Sequence, residues 1–298
     1  MAMVFAALCP VVAGRSEASD VPGIESRYNA LFELAQTVAD RPQIEQEPTI
    51  RAEFQRSLAH AYNDADLRRV SDADLRRLLL AGEVLGFFAY AQSDLPYVER
   101  PLQVLERRGV ANDDDRARYF RVLVGLRRFE QARAYRAAHP AMDVEQMPAV
   151  VDASGNGTGP VAYAISAERL TKVRAPIDVG VHLIVVAHPL CAYSRKAMEA
   201  LGSDARLSPF LRGRATWLAP VNRRIGMDVL ATWNDVHTAT PLVLTDRRED
   251  WPFIRIWSTP TFYVLRDGKL VGAFEGWPGD GRRPQLVALL RAAGVDVE

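Results

Sequence analysis

Two short segments, far apart in the chain, carry the residues whose types and spacing could do chemistry. One is His188-Pro189-Leu190-Cys191-Ala192-Tyr193-Ser194, and the other is Ser258-Thr259-Pro260-Thr261-Phe262-Tyr263-Val264. The first follows an apolar run (Val181, Leu183, Ile184, Val185, Val186) and leads into Met198 and Leu201 at helical spacing. That order predicts that Cys191 sits where a buried strand turns into a helix. Unpaired N–H groups and the helix dipole favour negative charge at a helix N-terminus, so the thiol is expected to ionise below the usual ~8.5. A thiolate is the form that attacks disulfides. Burial of the sulfur opposes this, so the sign of the shift is a test of the reading.

The elements that must position this cysteine are legible further along. The run Thr259-Pro260-Thr261-Phe262-Tyr263-Val264-Leu265-Arg266-Asp267-Gly268-Lys269-Leu270-Val271-Gly272-Ala273-Phe274-Glu275-Gly276 resembles the closing half of a thioredoxin-fold domain. The resemblance covers about 120–150 residues, one domain's worth, at the C-terminal end. It implies a cis Thr259-Pro260 bond facing Cys191 across the sheet. It also implies a tight turn at residues 266–269, where Asp-Gly supplies the positive φ, and a last helix over residues 285–293. The cysteine motif departs from the family's C-x-x-C, because Ser194 stands where the resolving cysteine would be. Val185 stands where many thioredoxins bury an acid, six positions before the first cysteine. A C-x-x-S site cannot store an internal disulfide. It can form a mixed disulfide through Cys191, released by a second substrate thiol, by glutathione or by a partner.

The chain has 298 residues, 48% hydrophobic and 25% charged, which is enough for two cores. Lys+Arg and Asp+Glu are both 37, so nothing in the charge calls for nucleic acid or an anionic membrane as partner. Residues 3–13 form a short apolar stretch, with Val11 and Ala13 placed like the small residues before a signal-peptidase cut and Gly14-Arg15-Ser16 following. Residues 1–20 therefore read as an export signal lacking its charged start, and the mature chain as periplasmic or otherwise exported; a buried N-terminal helix is the alternative. No other stretch approaches the ~20 apolar residues of a membrane span, so no integral span is expected. With the signal removed, Cys191 is the remaining cysteine, since the other is Cys9.

The expected fold class is α+β: an all-α region over residues 21–147, then an α/β thioredoxin-like domain over residues 148–298 that begins with a β-hairpin. In the first region apolar residues recur at helical spacing, as in Tyr28, Leu31, Phe32, Ala35 and in Leu75, Leu78, Leu79. Ser71 with Asp74, and the run Asn112-Asp113-Asp114-Asp115, mark helix starts. Tyr119, Leu123, Leu126, Phe129, Ala132, Tyr135 and Pro140 resemble a tetratricopeptide-type helical hairpin, with an irregular bundle as the alternative. Ala149-Val150-Val151 and Val161-Ala162-Tyr163-Ala164-Ile165 are read as the two strands of the hairpin, joined by the glycine-rich residues 152–160. Residues 228–237 are expected to form an added helix, and residues 246–252 a polar rim loop.

Each candidate residue has a plainer role beside the chemical one. Cys191 is the nucleophile or a small buried hydrophobe. His188 raises the positive potential near the sulfur or caps the strand. Tyr193 lines a substrate groove or packs in the core, and Ser194 donates a hydrogen bond to the thiolate or is the drifted remnant of a cysteine. Pro260 is needed by the fold, while Thr259 offers backbone groups to an extended substrate. Trp257 and Trp277 are read as packing. His60, His139, His182, His188 and His237 show no metal-ligand spacing, and no phosphate loop is present, so no cofactor or metal is expected. Two classes of function follow. One is a monothiol thiol-disulfide oxidoreductase or isomerase that takes protein disulfides or glutathionylated thiols, with the helical region recruiting a protein partner. The other is a non-catalytic scaffold or chaperone.

Overall fold

A computed structural model describes residues 23–238 and 240–297; the expected export signal lies outside the described residues. Seven α-helices come first: α1 (Ile24–Val38), α2 (Gln43–Ser57), α3 (Asp64–Leu67), α4 (Asp72–Ala89), α5 (Pro96–Arg107), α6 (Asp113–Gly125) and α7 (Phe129–Ala138). Their starts have local causes. The Ser71 hydroxyl accepts the Asp74 N–H at 3.1 Å ahead of α4. Asn112 and Asp115 exchange side-chain and backbone bonds of 2.8 and 3.2 Å ahead of α6, a complete capping box. Helix α4 is the centre of this region, packing on α1, α2, α5 and α6, while α6 also packs on α7.

Helix α4 carries the core of this region on Leu75, Leu78, Leu79 and Leu85, all fully buried. Gly82 lets α5 approach it: a Cβ at that position would stand 2.5 Å from the Tyr97 carbonyl oxygen. Gly82→Ala is therefore expected to lower stability by about 1–3 kcal/mol, because the nearest atoms are backbone and cannot rotate away. Urea denaturation checks this, and an unchanged midpoint would mean that α4 and α5 can separate freely.

The rest of the chain builds one mixed sheet. Its strands are β1 (Ala149–Asp152), β2 (Val161–Ile165), β3 (Arg169–Arg174), β4 (Val181–Val186), β5 (Ala215–Ala219), β6 (Leu242–Thr245), β7 (Thr261–Arg266) and β8 (Lys269–Glu275), in the order β1-β3-β2-β6-β5-β4-β7-β8. Helices α8 (Ala192–Gly202), α9 (Ser208–Arg214), α10 (Met227–Val236) and α11 (Arg283–Ala292) complete it. Strands β4, β5 and β6 are parallel, while β7 and β8 run antiparallel to β4. From Leu183 to Val186, β4 is buried on both faces, which is why it reads as a continuous apolar run. The fold class is thus α+β: a helical region followed by a mixed sheet flanked by helices, in which β4-α8-β5 and the closing β7-β8-α11 unit make the thioredoxin-like arrangement. At the β7–β8 turn Asp267 and Gly268 have φ of 50° and 72°, the positive values the Asp-Gly pair was expected to supply.

Two expectations are corrected. Strands β1 and β2 do not form a hairpin with each other: both flank β3, β1 in parallel and β2 antiparallel. The hairpin is β2–β3, closed by residues 166–168 with Ser166 and Arg169 bonded across the turn at 3.1 Å. A three-residue connection closes at lower entropic cost than the eight residues 153–160 between β1 and β2, so the local pairing wins. Residues 246–252 are only partly a polar rim, since Asp246 is buried and accepts the Tyr163 hydroxyl at 2.9 Å, and Trp251 is fully buried. The sequence reading also lacked β6, which pairs antiparallel with β2 and parallel with β5.

A continuous apolar cluster runs from Leu31 and Leu78 in the helices, through Phe129 against Tyr163 (ring centroids 5.1 Å apart), to Trp217 and Leu290. The helical region and the near face of the sheet therefore share a core. A smaller cluster, with Ile184, Leu218, Trp251 and Tyr263, covers the opposite face.

Candidate functional site

Strand β4 ends at Val186, and the chain turns through His188 to place Cys191 as the N-cap of α8, with φ −84° and ψ 116°. The turn is tied by backbone and side chain. The Cys191 N–H donates to the His188 carbonyl at 3.0 Å, and His188 Nδ1 accepts the Leu190 N–H at 3.2 Å. The Arg195 guanidinium reaches back to the Pro189 carbonyl at 2.7 Å. Ser194 is fully buried beneath the turn, and its hydroxyl accepts the His188 N–H at 3.3 Å.

Across the sheet, the Thr259–Pro260 peptide is cis. The Cys191 thiol donates to the Thr259 carbonyl at 3.1 Å. Pro260 is held by the Gly276 N–H on its carbonyl at 2.8 Å, and the preceding segment by Thr261 Oγ1 donating to the Ser258 carbonyl at 2.7 Å. Cys191, Ser194, His188, Thr259 and Pro260 thus share one cluster. Tyr193 stands beside it, 56% exposed, on the surface rather than in the core.

Burial is the largest single influence on the Cys191 thiol and pushes its pKa up. Against it act the Ser194 N–H, the Thr259 and Ser194 hydroxyls and the Tyr193 N–H, and together they hold the thiol below its ordinary value. Burial lowers the His188 pKa from its ordinary value, only partly offset by a hydrogen bond to the Ile225 backbone, which works against the positive charge considered for it. Its work is geometric, joining the cysteine turn to residues 220–226.

That last segment, unremarked in the sequence, is gripped by the helical region. Arg127 donates to the Asn222 carbonyl at 3.3 Å and to the Thr245 carbonyl at 2.8 Å. The Glu145 carboxylate accepts the Ile225 and Gly226 N–H groups at 2.7 and 3.0 Å, and Arg223 pairs with Glu83 at 3.0 Å. A groove of about 500 Å³ lies between the cysteine turn at Pro189 and α10, walled by Val229, Trp233 and Val236. Its signal was a second apolar stripe on α10, where Val229, Trp233 and Val236 recur at spacings of four and three.

No protein-family model matches the chain, and no curated protein does. Among solved structures, a thioredoxin-like protein from Bacteroides caccae is similar over 98% of this chain and 99% of its own, at 10% identity and a TM-score of 0.29. A superposition at that score carries no argument about the site. The chemistry rests on the geometry just described.

Proposed function

We propose that this protein performs thiol-disulfide exchange through Cys191 as a single nucleophile. The observation that carries the reading is the placement of that sulfur at the N-terminus of α8, in reach of the Thr259 carbonyl. The Cys191 thiolate attacks one sulfur of a substrate disulfide, forming a mixed disulfide and expelling the other sulfur as a thiolate that takes up a proton. Ser194 has no thiol with which to reverse this. The adduct is released when a second substrate thiol or a small thiol such as glutathione attacks it, returning Cys191 as thiolate. The Thr259 backbone and Tyr193 hold the substrate segment, with the α10 groove receiving its apolar side chain.

The reading includes export of the mature chain to the periplasm or beyond, with residues 21–147 as the helical unit and residues 148–298 as the thioredoxin-like unit. No described helix is long and apolar enough to cross a membrane.

The test is the pH dependence of alkylation by iodoacetamide on a Cys9→Ser background. Because ionisation is favoured in the folded state, the thiolate is populated at lower pH. The rate should reach half its plateau below pH ~8.5 when folded and near ~8.5 in denaturant. Coincident curves would mean an unactivated thiol and would favour the non-catalytic scaffold.

A further inference from the structure

The helical region carries a cavity unconnected with the cysteine chemistry, an open groove of about 730 Å³ between α1 and α4 with α6 along one side. Its walls are aromatic. Tyr28 and Phe32 come from α1 (ring centroids 6.1 Å apart), and Phe87 and Phe88 from the end of α4 (5.0 Å apart). Phe32 is 44% and Phe87 55% exposed, the wrong place for such side chains in a helix whose other face already packs. The rim is cationic: Arg118, Arg121 and Arg223 line it together with one carboxylate, Glu83. Glu83 is shared by Arg118 at 2.5 Å and Arg223 at 3.0 Å, and Arg223 also lies 5.2 Å from the Phe87 ring centroid. Arg121 makes no hydrogen bond or ion pair among the described residues, although it is half-buried against this apolar wall.

We propose that this groove docks an acidic amphipathic helix of a partner protein. Three guanidiniums against one carboxylate leave a local excess of two positive charges on a chain whose net charge is zero, so complementarity requires an anionic occupant. The wall presents Tyr28, Phe32 and Ala35 of α1 and Ala39 just past its end, spanning about 16 Å at 1.5 Å per residue, room for three turns of a facing helix. An open trough of this length suits apolar anchors at positions i, i+3, i+4 and i+7 of such a helix. Arg121 meets its acidic flank, and Phe32 and Phe87 take the anchors. The groove adjoins residues 220–226 through Arg223, so a docked partner is held on the segment that also touches His188. The inference does not depend on the redox reading of Cys191.

The test is selection of a random phage-displayed peptide library on the full chain, with Arg121→Glu as counter-target. Peptides recovered from the wild type but not from the variant should carry Asp or Glu beside apolar residues at helical spacing. Synthetic versions should become helical on binding and lose about tenfold or more in affinity against Arg121→Glu or Phe87→Ser. Cys191→Ser should bind them as well as wild type, which separates this outcome from any failure of the thiol chemistry. Recovery of basic or neutral peptides, equal recovery from both proteins, or no enrichment would overturn the proposal. So would self-association of wild type that Arg121→Glu abolishes, which assigns the groove to a second copy, or binding of dodecanoate with no peptide recovered, which assigns it to an anionic lipid.

Discussion

Ser194→Cys is expected to give the protein an internal disulfide that the wild type cannot form. Residues three apart at the start of a helix have side chains roughly 5–6 Å apart at Cβ, within reach of a bridge after small adjustment. Ser194 already points beneath the cysteine turn, fully buried and bonded to the His188 N–H, so a sulfur there would lie under Cys191 rather than in solvent. After mild oxidation, thiol titration of the unfolded variant on a Cys9→Ser background should find no free thiol, where the wild type retains Cys191. Release of a substrate by the thiol introduced at position 194 should be slow, because fully buried Val185 offers no carboxylate to deprotonate it for attack on the mixed disulfide. Two free thiols after oxidation would mean that the turn holds residues 191 and 194 in a geometry unlike a dithiol motif.

The second large effect is on stability. Arg127 lies in the left-handed region with φ 58°, is nearly fully buried, and meets backbone carbonyls rather than a carboxylate: Thr245 at 2.8 Å, Asn222 at 3.3 Å and Val124 at 3.4 Å. Burial pushes its pKa down to about 10, so it stays charged at neutral pH at the expense of lost hydration. Arg127→Met keeps most of the apolar stem and removes the side-chain donors to the Thr245 and Asn222 carbonyls, while the Val124 carbonyl keeps the backbone N–H of residue 127. The expected loss is about 2–4 kcal/mol, since charged hydrogen bonds and stranded acceptors each count for about 1–3 kcal/mol and relief of the buried charge offsets part. Urea denaturation measures it. A loss under about 1 kcal/mol would show that Arg127 adds little to the junction and that the shared apolar core alone holds the two parts.

How much could be read beforehand follows from the range of the interactions. Cys191 at a strand-to-helix turn was legible because the apolar run of β4 and the stripe of α8 are both local. The Asp267-Gly268 turn was legible because a single dipeptide dictates its φ values. Strand β6 was not, since four residues after Pro241 carry no periodicity, and its partner Ala162 lies across from Thr245, far back in the chain. The glycines of residues 152–160 announced a loop but could not say which strands it separates. Arg127 follows Leu126 and precedes Arg128 like any surface arginine; only the packing of the sheet against α7 buries it. His188 was weighed as a cation because its type permits one, whereas its burial, which lowers its pKa, and its bond to the Ile225 backbone come from parts of the chain the local sequence does not show.

Trapping of the covalent adduct bears most directly on the central claim. Cells expressing wild type, or the protein with Cys191→Ser, are quenched in acid to freeze thiol exchange, alkylated, and run on non-reducing gels with mass spectrometry of the shifted bands. With Ser194 unable to resolve an attack, wild type should carry disulfide adducts of protein thiols or glutathione on Cys191, abolished by reductant, and Cys191→Ser should carry none at that site. The same adduct pattern in both proteins, or an unmodified Cys191 in wild type, would contradict the account.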